Sequence, residues 1–339
     1  MTRAFVSGCA GPELTEAEIV FFSRSDPWGL ILFARNIVSP DQVRALTASF
    51  REAVGRADAP VLIDQEGGRV QRMKPPHWPK YPAPGFYGDL FNEQPETGLK
   101  SAWLGARLIA ADLHDVGITV ACLPCLDTRF PETVDAIGDR AFSAEPETVA
   151  LLGQAMVDGA CAGGILPVIK HIPGHGRARV DSHLELPRVE ADKSSLESVD
   201  FRPFKALSGV PLGMTAHIVY ADVDDERPGT QSSRVIQEVI RRDIGFDGCL
   251  MSDDISMNAL GGSYADRAQR AIDAGCDIVL HCNGDMEEMR AVAAAVPELA
   301  GRAKQRCDAA LDSIKPPATG FDRDAAWEEF RSITGWQGV

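Results

Sequence analysis

Apolar residues gather into short runs along this chain: AFVSGC (4–9), GLILFA (29–34), PVLID (60–64), ITVACLP (118–124), ILPVIK (165–170), LGMTAH (212–217), GCLMSD (248–253) and DIVLHC (277–282). Within each run the apolar positions are continuous rather than alternating, the pattern of a strand buried on both faces. Segments of helical periodicity lie between them, near 14–23, 40–55, 97–116, 146–162, 195–208, 232–243, 264–274 and 285–295. Helix-start signals agree: Thr15-Glu16-Ala17-Glu18, Ser39-Pro40-Asp41 and Glu145-Pro146-Glu147 each place a cap, a proline or early carboxylates ahead of an apolar stripe. Eight strand–helix units in about 300 residues predict an α/β fold, a single (β/α)8 TIM-type barrel. The rival is a doubly wound sheet, which wants a Gly-rich fingerprint after its first strand; GCAGPEL is a poor match. No low-complexity linker divides the chain. The expected organisation is one barrel domain over 1–315 and a C-terminal surface tail over 316–339, with a short amphipathic helix near 323–332.

In such a barrel, chemistry sits at the C-terminal ends of the strands. Polar residues fall there in strand after strand: Asp64, Asp127, Lys170-His171, His217 and Asp253. The densest stretch is KHIPGHGRARVDSHLELP (170–187), which delivers Asp181 and His183 two positions apart on a loop. A carboxylate that holds an imidazole there suits a proton-transfer pair able to swing over a substrate. The plainer alternative is a loop that only connects elements. Asp253 and Asp254 offer a nucleophile, a metal ligand or a helix cap, and adjacent strand residues point oppositely, so one at most enters a site. His171 and His175 have the spacing of a helical zinc pair, but Pro173 and Gly174 between them forbid the helix. Lys170 is costly to bury without a carboxylate or a polar ligand. Arg72 and Arg140 suit hydroxyl or carboxylate recognition, or else are ordinary exposed arginines. Gly67-Gly68 makes a turn or lets backbone approach a ligand closely.

Composition narrows the partners. A formal net charge of −15 over 339 residues argues against nucleic acid or an anionic membrane surface. The eight cysteines sit mostly inside apolar runs, as buried free thiols of a reducing compartment do. Cys122 and Cys125 form CLPC without a second close Cys/His pair, which speaks against a zinc site. The run before Cys9 is too short for a signal segment, and none approaches the roughly 20 apolar residues that span a bilayer. A cytoplasmic protein is expected.

Five motifs in order, IDQEGGRVQR (63–72), IGDRAF (137–142), KHIPGHG (170–176), DSHLELP (181–187) and MSDDISM (251–257), resemble glycoside hydrolase family 3. The likeness runs from about residue 5 to 295 and is strongest to the family's single-domain bacterial β-N-acetylglucosaminidases of cell-wall recycling. It implies a barrel enzyme with Asp253 as nucleophile and Asp181–His183 as acid/base dyad. Asp64, Arg72, Arg140, Lys170 and His171 match the sugar-binding positions. The implied reaction is retaining release of terminal β-linked GlcNAc from GlcNAc-1,6-anhydro-MurNAc fragments. A small carbohydrate would be the partner of a monomer needing no metal or organic cofactor. Two departures stand out: Ile172 where an aromatic is common, and the basic segment RARV (177–180) beside the dyad. A phosphorylase, a β-glucosidase or β-xylosidase, a metal-dependent hydrolase and a non-catalytic sugar-binding module stay open as alternatives.

Overall fold

A strand that is apolar on both faces needs cover on both, and a closed parallel sheet ringed by helices supplies it. The computed structural model describes residues 1–338, and its central feature is such a closed barrel. Its strands are β1 (Arg3–Ser7), β2 (Pro27–Leu32), β3 (Val61–Ile63), β4 (Val120–Ala121), β5 (Leu166–Ile172), β6 (Leu212–Thr215), β7 (Cys249–Asp254) and β8 (Ile278–His281). Neighbours in sequence are neighbours in the barrel, and β8 closes on β1 with Phe5 opposite Val279. Every pairing round the ring is parallel. The eight expected strands all form.

Helices α1 (Glu16–Ser25) and α2 (Pro40–Val54) begin where their caps predict, with Thr15 in a capping box and Ser39 accepting from the Gln42 amide. Next come α3 (Pro84–Glu93), which the periodicity does not announce, and α4 (Pro95–Asp115), followed by α5 (Pro146–Ala162). The segment expected as one helix over 195–208 is two, α6 (Lys193–Ser198) and α7 (Arg202–Ala206). Pro203 sits in the first turn of α7, where its missing N–H costs nothing. The expected helix at 232–243 is wound as a π-helix over Val235–Asp243. The remaining helices are α8 (Tyr264–Ala274), α9 (Met286–Ala295), α10 (Gly301–Asp312) and α11 (Arg323–Thr334). No described helix is long and apolar enough to cross a membrane.

The tail departs from its expected exposure. Helix α11 lies on α3 and α4 with Phe330 fully buried and Trp327 nearly so. The Trp327 ring stands 5.3 Å from Tyr81 and Phe330 stands 6.4 Å from Tyr87, while Trp336 meets Phe86 at 5.4 Å. Arg323 pairs with Asp112, a buried carboxylate that also accepts from the Tyr81 hydroxyl at 2.6 Å. An amphipathic helix with two large aromatics on one face has that face to bury, and Tyr81 and Tyr87 receive it. Phe330→Ala should therefore lower unfolding stability by about 3–5 kcal/mol, the usual loss for a buried aromatic. Urea unfolding checks this: an unchanged midpoint would mean that α11 contributes no packing.

Candidate active site

At the C-terminal ends of the strands the chain leaves a cleft of about 280 Å³. Five residues of alternating charge build its wall, four of them lining the cleft and Glu66 buried behind them. Asp64, just past β3, accepts from Arg72 Nη2 at 3.0 Å and from Lys170 Nζ at 2.9 Å. Lys170, near the end of β5, also meets Glu66 Oε1 at 2.6 Å. Glu66 in turn accepts from Arg140 Nε and Nη2, both at 2.9 Å. Lys170 is only 2% exposed, so its ammonium is tolerable only because two carboxylates surround it. Burial pushes the Asp64 carboxyl up, but Lys170, Arg72 and Arg140 outweigh it and hold the group well below the usual range. Glu66 responds alike: burial opposes ionisation, Arg140 and Lys170 overcome it, and the carboxyl settles at about 2. Burial alone would lower the Lys170 ammonium, yet Asp64 and Glu66 raise it above its ordinary value. The turn that brings Arg72 back to Asp64 needs Gly67, whose φ is +100° and where an added Cβ would lie 2.0 Å from the Pro82 carbonyl oxygen.

Asp127, fully buried after β4, organises the KHIPGH segment. Its Oδ1 accepts from the His175 amide at 2.6 Å, and its Oδ2 lies 2.7 Å from His171 Nδ1 and 3.2 Å from Cys125 Sγ. An ionised carboxylate only accepts, so His171 carries its proton on Nδ1 and leaves Nε2 available. Burial works against ionisation of Asp127 too, and His171 with His175 pulls it below the ordinary range. The chain then passes so close to the Thr128 carbonyl that only glycine fits at 176, where a Cβ would stand 1.8 Å from that oxygen. Beyond it, His175 Nε2 lies 3.2 Å from Ser182 Oγ, and the Ala259 amide donates to Ser182 O at 3.2 Å. These two bonds pin the loop between Asp181 and His183.

Asp181 Oδ1 accepts from the His183 amide at 2.9 Å and lies 2.7 Å from its ring Nδ1. The ring is thereby oriented with Nε2 outward, and the side chain is 66% exposed. Slight burial raises the Asp181 carboxyl, but the amide and ring of His183 together lower it below the usual range. Asp253 ends β7. Its amide donates to Thr215 Oγ1 at 3.3 Å, and its Oδ1 accepts from the Asp254 amide at 2.8 Å. Burial disfavours its charge, while His171, His217 and that amide outweigh burial and depress its pKa. Asp254 borders the cleft as well, but its carboxylate accepts from Ser256 N, Ser256 Oγ and Cys282 N. It braces the loop, as opposite-pointing neighbours on a strand should.

Asp64, Arg72, Arg140, Lys170, His171, Asp181, His183 and Asp253 all line this one cleft. Sequence reasoning gave no role to Glu66 and none to Asp127. Glu66 follows Asp64 by two positions, the same-face spacing of a strand, and that signal would have found it. The neighbours Met214, Met257 and Cys282 add an apolar side; Met257 closes the MSDDISM motif, and the other two lie outside the motifs. Among the described residues, the ligating atoms of Cys125, Asp127 and His171 lie within 4.8 Å of one another. Both Cys125 and His171 are directed at the same Asp127 oxygen, and burial with the Asp127 charge pushes the Cys125 thiol well up, so the trio works as a hydrogen-bonded brace.

Comparison with known proteins places this geometry in a class. The model of the glycosyl hydrolase family 3 N-terminal domain matches residues 23–315. The chain belongs to that family and is a glycoside hydrolase. Among its relatives, the β-hexosaminidase of Alkalilimnicola ehrlichii is 40% identical over 281 residues, covering 81% of this chain and 79% of its own. The β-hexosaminidase of Tolumonas auensis is 35% identical over 347 residues, covering 98% and 93%. The crystal structure of NagZ from Neisseria gonorrhoeae in complex with N-trifluoroacetyl-D-glucosamine superposes with a TM-score of 0.85 at 30% identity, covering 98% of this chain and 96% of that one. The chain thus groups with the β-hexosaminidases of the family.

The buried pairing of Glu66 carries a pH signature. Its folded value of about 2 lies below the ordinary 4.5, so its stabilisation is complete above about pH 4.5 and is lost as pH falls towards 2. Glu66→Gln leaves Lys170 and Arg140 short of a carboxylate and should cost about 3–5 kcal/mol near neutrality. Thermal unfolding from pH 7 down to 2 should show the gap between wild type and variant closing across that window. A gap independent of pH would remove the charge argument.

Proposed function

We propose that this protein is a retaining exo-β-N-acetylhexosaminidase that uses Asp253 as nucleophile and Asp181–His183 as acid/base dyad. The observation that carries the reading is the meeting, in one cleft, of an ionised carboxylate at a strand end with an oriented imidazole on a loop and a charged wall of hydrogen-bonding groups. Asp253 attacks the anomeric carbon while His183 Nε2 gives its proton to the departing oxygen. The resulting glycosyl ester is hydrolysed when the neutral ring takes a proton from water. Most retaining glycosidases divide these tasks between two carboxyl groups. Imidazoles as a class change charge between about pH 5 and 8, so one ring serves both steps. Asp181 holds the ring's tautomer and steadies its cation, as the aspartate of a Ser-His-Asp triad does. Asp64, Arg72, Arg140, Lys170 and His171 hold the sugar, and Glu66 keeps Lys170 and Arg140 in place.

The substrate in this reading is β-linked N-acetylglucosamine at a non-reducing end, borne on a peptidoglycan fragment of the GlcNAc-1,6-anhydro-MurNAc type and met by a monomer in the cytoplasm. The motif likeness supports it, as does the N-trifluoroacetyl-D-glucosamine bound by the Neisseria gonorrhoeae NagZ. Turnover of nitrophenyl glycosides of several sugars, with and without phosphate, tests it. Free N-acetylglucosamine should be the product in both conditions; a sugar phosphate, or faster release of glucose or xylose, would overturn it.

Asp253→Asn should abolish nearly all turnover with folding intact. A slow fluoro-glycosyl substrate should label the 251–257 peptide of the wild type in mass spectrometry, and a label elsewhere would displace Asp253.

His183→Ala should discriminate by leaving group. General acid catalysis contributes about 10²–10⁴-fold where the departing oxygen is strongly basic, and far less for a nitrophenolate. The variant should lose kcat/KM severely on the disaccharide, mildly on the nitrophenyl glycoside, and accumulate glycosyl-enzyme with the latter. Equal losses on both substrates would take His183 out of the acid/base role.

A further inference from the structure

Between Gly176 and Asp181 the chain reads Arg177-Ala178-Arg179-Val180, and this segment serves two cavities. Asp181 and His183 line the catalytic cleft, whereas Arg177 and Arg179 line a separate cavity of about 340 Å³ with Phe130, Glu132, Arg188 and Glu190. Three guanidinium groups meet there, in a chain whose formal net charge is −15. Arg177 stacks over the Phe130 ring at 4.3 Å and donates through Nε to Asp200 at 2.7 Å, which leaves its terminal nitrogens open. Arg188 donates through Nε to Glu190 at 2.6 Å and through Nη1 to the Asp225 carbonyl at 2.7 Å, which leaves Nη2. Arg179 is exposed and makes no ion pair among the described residues. Glu132, Glu190 and Asp200 balance the three cations, so what the cavity offers an anion is the N–H groups that Arg177, Arg179 and Arg188 leave unused.

The walls of this cavity are tied together. Thr133 Oγ1 donates to the Gly176 carbonyl at 2.6 Å, and the Val134 amide donates to the Ala178 carbonyl at 3.0 Å, so bonds flank Arg177 on both sides. Arg179 projects from the end of the tied stretch, two residues before Asp181. Planar guanidiniums with spare N–H groups suit the oxygens of a carboxylate or phosphate-type anion.

We propose that this cavity binds an oxyanion through Arg177, Arg179 and Arg188, and that its occupancy steadies the stretch from Arg177 to Val180 that leads to Asp181 and His183. The effect on rate rests on the dyad reading above; the binding does not. The anion has two sources, a carboxylate on the aglycone of the substrate or a free anion in solution. Sulfate serves as the probe, with ionic strength balanced by chloride. Calorimetric titration should show sulfate binding to the wild type, weakened about tenfold or more in Arg179→Ala, the typical worth of a charge-assisted hydrogen bond. Arg179→Lys should recover part of it. If the substrate brings the anion, Arg179→Ala should raise KM about tenfold for a disaccharide with a carboxylate on its second sugar. The KM of a neutral nitrophenyl glycoside should stay unchanged. If the anion is free, sulfate should alter kcat/KM for the nitrophenyl glycoside in the wild type but not in Arg179→Ala. Sulfate binding that is absent or insensitive to Arg179, together with equal KM values for both proteins on the disaccharide, overturns the site. Arg179-dependent binding without either kinetic effect overturns the link to the loop. Failure of the wild type to cleave either substrate would instead sink the hexosaminidase reading and leave the calorimetry to decide the site.

Discussion

The alternating series Arg72, Asp64, Lys170, Glu66 and Arg140 is the constraint on which the cleft depends. It joins the end of β3, its following turn, the end of β5 and the loop after β4 into one wall. No member is tolerable alone at this depth, because a desolvated charge without a partner costs several kcal/mol. Together they hold each other ionised and leave little freedom of rotamer. A sugar hydroxyl entering such a wall meets donors and acceptors already oriented, so binding asks little reorganisation of the protein.

The proposed proton-transfer group is built on the opposite plan. Asp181 and His183 sit on an exposed loop, whereas the segment leading to it is anchored by the buried Asp127 and by contacts on both sides of Gly176. An anchored base keeps the ring in one orientation while its face stays open to solvent. Asp253 is held differently: its backbone is tied to Thr215, and the histidines around it keep its carboxylate ionised. In the proposed mechanism the nucleophile and the acid divide the work along the same line that separates strand end from loop.

Much of this architecture is legible in the amino-acid order because it is local. Continuous apolar runs specify strands buried twice over, Thr15 and Ser39 specify helix starts, and polar residues at strand exits mark the working face. Three expected helices differ from expectation in form or packing, for physical reasons. The split at Pro203 follows from proline's missing donor, but the π-winding of Val235–Asp243 has no local signature, and α11 looks like an exposed appendage until Tyr81 and Tyr87 are seen receiving it.

By itself the sequence determined the barrel, the strand ends where polar residues gather and eight of the side chains that line the cleft, since periodicity and motif order depend only on neighbours along the chain. Tertiary structure alone decided that Glu66 joins Lys170 to Arg140 across residues far apart in sequence. It also decided that Asp127 braces two histidines and that Arg177 and Arg179 turn away from the dyad into a cavity of their own. Charges find their partners in space, and only closure of the barrel brings those partners within reach.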